Sequence, residues 1–78
     1  MKRVEQSEII GEMVRDGNMT RRDVSVAANR NPVYVSNAQR RGEPSIGTVA
    51  LIANVYGLDV ALIDRETNET RYIIEPPK

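Results

Sequence analysis

Residues that stop and start helices recur so closely along this chain that no long helix fits within it. Gly17-Asn18 closes a first segment, and Thr20 opens a second as an N-cap, with Asp23 three residues on as a short form of the capping-box acid. Asn31-Pro32 reads as an N-cap followed by proline at the first helical position, where its missing N–H costs nothing. Gly42 supplies a left-handed end to that third helix. After Glu43-Pro44, Ser45 caps a fourth helix that Gly57 ends. Between these marks the apolar residues follow the helical period. They are Ile9, Ile10, Met13 and Val14 in the first segment, Val24, Ala27 and Ala28 in the second, and Ile46, Val49, Ile52, Ala53 and Tyr56 in the fourth. A chain of 78 residues buries about 60–65% of its unfolded surface, so these short helices share one core.

Past Gly57 the period changes. Leu58, Val60 and Leu62 alternate with other residues, Thr67-Asn68 offers a turn, and Thr70-Arg71-Tyr72-Ile73-Ile74 is rich in β-branched and aromatic side chains before Pro76-Pro77 stops it. This pattern predicts a β-hairpin; the competing reading makes 59–64 a short fifth helix followed by a loose tail. An isolated hairpin is marginal in water, so this one must pack on the helices or pair with another chain. The expected architecture is mainly α, with four to five helices. Residues 1–57 form a helical domain, and residues 58–78 form a hairpin or tail that is a candidate dimerisation element.

Several functions are excluded early. The chain has no cysteine and no histidine, which removes disulfides, Cys/His zinc sites, thiol nucleophiles and imidazole acid–base chemistry. No paired-carboxylate, Ser/Lys or phosphate-loop spacing stands out, so Asp59, Asp64, Glu66 and Glu69 read as solvated carboxylates. No enzyme, metal site or cofactor is expected. No apolar run is long enough to cross a membrane and no signal-peptide pattern opens the chain, so the expected location is cytoplasmic.

The net charge of zero hides an asymmetry. Residues 1–19 hold three basic and four acidic side chains, residues 20–42 hold five arginines against Asp23 alone, and residues 43–78 hold three basic and six acidic ones. A basic middle of this kind is the footprint of an anionic partner. The same middle has the spacing of two helices that cross steeply. Ser25 is the small residue such a crossing needs, Asn29 tolerates the left-handed turn four residues later, and Val35 is the apolar anchor six residues beyond. Small at 25, left-handed at 29 and apolar at 35 is helix-turn-helix geometry.

Over residues 19–57 the chain resembles the lambda-repressor/Cro-like (XRE-type) helix-turn-helix family. The features that carry the likeness are Met19-Thr20, Val24-Ser25, Asn29, Val35-Ser36 and Gly42. Most specific is the run Pro44-Ser45-Ile46-Gly47-Thr48-Val49 with Ile52-Ala53 and Gly57. The chain departs from the family pattern at Ser25 (usually alanine), Asn29 (usually glycine), Arg30 (usually apolar or small) and Gln39 (commonly glutamate), and the loop before Ser45 is slightly short. The resemblance implies a lambda-repressor-like fold, sequence-specific binding of double-stranded DNA, and a helix at about 32–41 lying in the major groove. It also implies that Arg21, at the start of the second helix, touches the DNA backbone.

The third helix read as a wheel points the same way. Val33, Ser36, Asn37, Arg40 and Arg41 fall at i, i+3, i+4, i+7 and i+8 and share one face, while Val35 and Ala38 face the other way and Tyr34 lies on a flank. Asn bonds bidentately to adenine, Val touches a thymine methyl, and Arg binds guanine or phosphate. Val33, Ser36 and Asn37 are the expected base readers, with Asn31 and Tyr34 at the edge of reach. Arg30, Arg40 and Arg41 are expected on phosphates, as are free N–H groups at helix N-termini.

A single such module makes few base contacts, so a homodimer on two half-sites is expected, with the hairpin around Tyr72, Ile73 and Ile74 as the candidate interface. The expected activity is transcription regulation, by preference repression. The alternative is a protein-interaction module, or an antitoxin-like partner, that keeps the fold and binds another protein through the hairpin. Leu51 and Val55, off the main stripe of the fourth helix, either serve such a partner or pack locally under the tail.

Overall fold

The computed structural model describes residues 2–77. A 3-10 turn, Gln6–Glu8, leads into α1 (Ile9–Asp16). Then follow α2 (Arg21–Ala27), α3 (Tyr34–Arg41), α4 (Ile46–Val55) and two strands, β1 (Val60–Ile63) and β2 (Thr70–Ile74). The chain is mainly helical and measures 40 × 24 × 22 Å. Residues 60–63 are strand, so the hairpin is formed and the fifth helix is not.

The helix ends follow the chemistry of their caps. The Thr20 hydroxyl accepts from the Asp23 N–H at 3.1 Å and the Ser45 hydroxyl from the Thr48 N–H at 3.2 Å, each taking one donor that the helix itself leaves unsatisfied. At the other end, α2 and α4 close in the same way. Asn29 (φ 61) and Gly57 (φ 78) adopt the left-handed conformation, which lets the Arg30 N–H reach the Ser25 carbonyl at 3.0 Å and the Leu58 N–H reach the Ala53 carbonyl at 2.8 Å. This is the Schellman arrangement, with asparagine in one helix filling the place glycine takes in the other.

One boundary differs from expectation. The third helix begins at Tyr34 rather than at Pro32. The Asn31 side chain accepts from the Val33 N–H at 3.1 Å and its carbonyl from the Tyr34 N–H at 2.9 Å. These two bonds hold residues 31–34 as a turn, and Val33 (φ −98, ψ 7) is still outside the helical region. Proline therefore sits inside the turn, where its fixed φ is equally at home.

Ile10, Met13, Val24, Val35, Ala38, Ile52 and Ala53 form the core, and Ile9, Val14, Met19, Tyr34, Val49, Val55, Tyr56 and Val60 pack round it. Full burial of each valine or isoleucine contributes about 1.5–3 kcal/mol. Ile46, expected on the core stripe, is exposed, while Ala50 is wholly buried. Within the same first turn, Val49 does pack on the core. Leu51 and Val55 are half-buried, and Val55 packs on the core.

The link between α1 and α2 is set by an aromatic ring. The Tyr56 hydroxyl donates to the Met19 carbonyl at 3.3 Å, and the ring lies against Gly17, where an added Cβ would be 2.6 Å from Tyr56 Cδ1 and closer still to Cε1. Burial pushes the Tyr56 pKa up, opposed by the Arg21 charge.

In the hairpin, Val60 pairs with Ile74, Ala61 with Ile73, Leu62 with Tyr72 and Ile63 with Thr70, which leaves Arg71 as the extra residue of a bulge. The Asp64 carboxylate shapes the turn, accepting from the Glu66 N–H at 2.9 Å and the Thr67 N–H at 3.2 Å, and it pairs with Arg71 at 3.2 Å. The Glu66 N–H above all, then Thr67, with a smaller part from Arg71, holds the Asp64 pKa below its ordinary value against a partial desolvation.

Two outcomes follow. Gly17→Ala should lower stability by about 1–3 kcal/mol, because the ring it meets is tethered through its hydroxyl; thermal unfolding measures this. Asp64 has a lower pKa in the folded chain than in the unfolded one, so its stabilisation is present above the unfolded value and lost as pH falls through the folded one. Amide protection in β2 should therefore fall on acidification below the carboxylate range, and Asp64→Asn should flatten that dependence.

Candidate nucleic-acid interface

The basic middle of the chain becomes α2, a turn and α3, and one hydroxyl joins the two helices. Ser25 is fully buried; its Oγ donates to the Arg21 carbonyl at 2.8 Å and accepts from the Val35 N–H at 3.0 Å. The first bond is the ordinary i−4 contact of a helical serine. The second satisfies an orphan donor in the first turn of α3. Val35, wholly buried, sits directly above this contact and holds α3 on the core together with Ala38.

Three N–H groups at the N-terminus of α3 have partners outside the helix. The Val33, Tyr34 and Val35 N–H groups go to Asn31 Oδ1, the Asn31 carbonyl and Ser25 Oγ. These three bonds fix the turn, while no such partner is seen for the Ser36 N–H, the next in the first turn. Asn31 is exposed, and its side-chain oxygen accepts one bond in that turn, which leaves its second lone pair and its amide N–H groups available.

The outward face of α3 carries the expected residues. Val33 is 52% exposed, Ser36 and Asn37 are half-buried, and Arg40 and Arg41 project outward, with Asn37, Arg40 and Arg41 lining a shallow concavity. Arg21 joins α3 from the side: its Nε donates to Gln39 Oε1 at 2.8 Å, which leaves both terminal nitrogens of the guanidinium free of that bond. Arg30 lies with its guanidinium carbon 5.8 Å from the centre of the Tyr34 ring, a cation–π contact, and donates to the Asn29 carbonyl at 3.4 Å. The Tyr34 hydroxyl in turn donates to Thr48 Oγ1 of α4 at 3.3 Å.

Charge pairing is segregated in the same way. Among the described residues the ion pairs are Lys2–Glu12, Arg15–Glu12, Arg15–Asp16 and Arg71–Asp64, all on the first helix or the hairpin. Arg21, Arg22, Arg30, Arg40 and Arg41 take part in none of them. Lys2 and Arg15 hold the Glu12 pKa below its ordinary value, Lys2 most of all.

Two positioning residues escaped the sequence reading. Gln39 grips Arg21 and crosses close over Gly11 of α1, where a Cβ would be 3.1 Å from its Nε2. In sequence it stood out only as a departure from the family's glutamate. Thr48 anchors Tyr34; in sequence it stood out only as a member of the Pro44–Val49 run, with no sign of that contact. Comparison with known proteins finds no match: no family model, no curated protein and no solved structure.

Ser25→Ala should cost about 1–3 kcal/mol, because it leaves the buried Val35 N–H without an acceptor. Urea unfolding gives the value; a loss near zero would mean that the N–H had found another acceptor.

Proposed function

We propose that the chain is a sequence-specific DNA-binding regulator of transcription, a repressor by preference. In this reading it has a lambda-repressor/Cro-like helix-turn-helix fold formed by α2 and α3, with α3 in the major groove. The observation that carries the reading is the outward face of α3 and its surroundings. Arg21, Arg30, Arg40 and Arg41, none in an ion pair among the described residues, lie on or beside a face that offers Val33, Ser36 and Asn37. A surface with no anionic partner tends to intersperse opposite charges, whereas unpaired arginines round an amide and a hydroxyl suit phosphates beside base edges. Val33, Ser36 and Asn37 read bases. Arg21, aimed by Gln39, and Arg40 and Arg41 bind phosphate; Arg30 and Tyr34 act together at the rim. The chain works in the cytoplasm, as a homodimer on two half-sites, without catalysis or cofactor.

A second reading, a module that binds another protein, draws support from the exposed apolar side chains of the hairpin. Selection of bound duplexes from a random library at low and moderate salt separates the two. DNA regulation gives a palindromic consensus that survives moderate salt; binding without a consensus that vanishes with salt leaves the protein-binding module. On the selected site, Arg40→Ala with Arg41→Ala should reduce the salt slope by about 0.9 per lost phosphate contact. Asn37→Ala should instead relax preference at one base pair by about 1–3 kcal/mol. An unchanged consensus in that variant removes Asn37 from the readers.

A further inference from the structure

Among the arginines of residues 20–42, Arg21 is the one seen to donate to another side chain, and its acceptor carries no charge. Its Nε donates to Gln39 Oε1 at 2.8 Å, which ties the start of α2 to α3. That bond also fixes which way the amide lies. The oxygen must face Arg21, so the nitrogen turns away from it, over Gly11 of α1. A Cβ at Gly11 would be 3.1 Å from Nε2, closer than side chains ordinarily pack. Glycine is unfavourable within a helix, and here the room it leaves is what the amide crosses. The concavity beside that crossing is lined by Ser7, Glu8, Glu12 and Arg15, with Glu12 paired to Lys2 and Arg15. Gln39 is therefore half-buried, with an arginine on one side and a hollow holding two carboxylates on the other.

A guanidinium offers N–H groups along one side, at Nε, and at its end, on both terminal nitrogens. With Nε taken by Gln39, the end stays free to meet an oxyanion through two parallel bonds. An amide oxygen takes that one N–H and leaves the charge whole. A glutamate at the same place would turn from Glu8 and Glu12 toward Arg21, take Nε and a terminal N–H together, and cancel the charge. Neutrality at residue 39 thus separates orienting the guanidinium from neutralising it.

We propose that Gln39 is a positioning residue, which holds Arg21 through a neutral bond so that the end of its guanidinium meets one DNA phosphate with its charge intact. The inference rests on the DNA-binding reading and deepens it by naming what sets the strength of one phosphate contact.

The first readout needs no DNA. In NMR spectra of the full chain, the Arg21 Nε–H should exchange with water about threefold to tenfold more slowly than that of Arg22, and Gln39→Ala should abolish the difference. The second readout is the salt dependence of binding to a duplex that the unaltered chain selects. Arg21→Gln should lower the salt slope by about 0.9, the value of one phosphate. Gln39→Glu should lower it by a similar amount, and little further when Arg21 is already glutamine, because it acts through that charge. Gln39→Ala keeps the charge, so it should weaken binding about threefold to tenfold with the slope unchanged. A merely structural role for Gln39 would move the unfolding midpoint and leave the slope of Gln39→Glu where it was.

An Arg21 Nε–H that exchanges as fast as that of Arg22 overturns the inference. So does a Gln39→Glu slope equal to that of the unaltered chain, or one that falls equally with and without Arg21. If Arg40→Ala with Arg41→Ala still lowers the slope in that case, DNA binding stands and only the role of Gln39 falls. An unaltered chain that binds no duplex removes the DNA-binding reading itself, and this inference with it.

Discussion

The bond between the Ser25 hydroxyl and the Val35 N–H fixes the geometry on which the rest of the arrangement depends. A helix of eight residues cannot hold itself together in water, and its first N–H groups have no partner within it. In α3 three of them are supplied from outside: by the turn at Asn31 for two, and by a buried hydroxyl on α2 for the third. The same hydroxyl is the small group that lets the two helices approach. Because it sits in the core beside Val24 and Val35, the angle between the helices is set where nothing is free to move. The outward face of α3 inherits that rigidity.

Around this junction, side chains that would otherwise be mobile are held by their neighbours. Gln39 positions Arg21, Tyr34 carries Arg30, and Thr48 holds Tyr34, so α2, α3 and α4 each contribute to the placement of the basic surface. The carboxylates seen in ion pairs lie elsewhere: Glu12 and Asp16 serve α1, and Asp64 the hairpin turn. Each ion pair at such exposed positions is worth little in stability. Their distribution matters more, since it leaves the middle of the chain with a positive field that the net charge of zero conceals.

The hairpin follows a different logic. Its turn is ordered by one carboxylate, a left-handed Asn68 and an arginine returned by a bulge, all local interactions. Its strands leave much apolar surface in water, so its local order is better than its tertiary packing.

Most of the secondary structure was legible because its causes are local. Thr20, Ser45, Asn29, Gly42 and Gly57 act on their own helix ends through one or two hydrogen bonds or through their own φ, and the Asp64–Asn68 turn likewise needs no distant partner. The alternation of the tail favoured a hairpin but left a short fifth helix at 59–64 open until the strands were seen, while the face shared by Ser36, Asn37, Arg40 and Arg41 follows from the helical period alone. Tertiary structure decided the rest. Whether Pro32 opens a helix or sits in a turn depended on where α3 had to start for the Val35 N–H to meet Ser25. That Ile46 is exposed and Ala50 buried is seen only in the packed chain. Gln39 and Thr48 gained their roles only from residues many positions away. Sequence spacing places a side chain on a face of its own helix, but the partner that fixes it comes from another element, and only the packed core brings the two together.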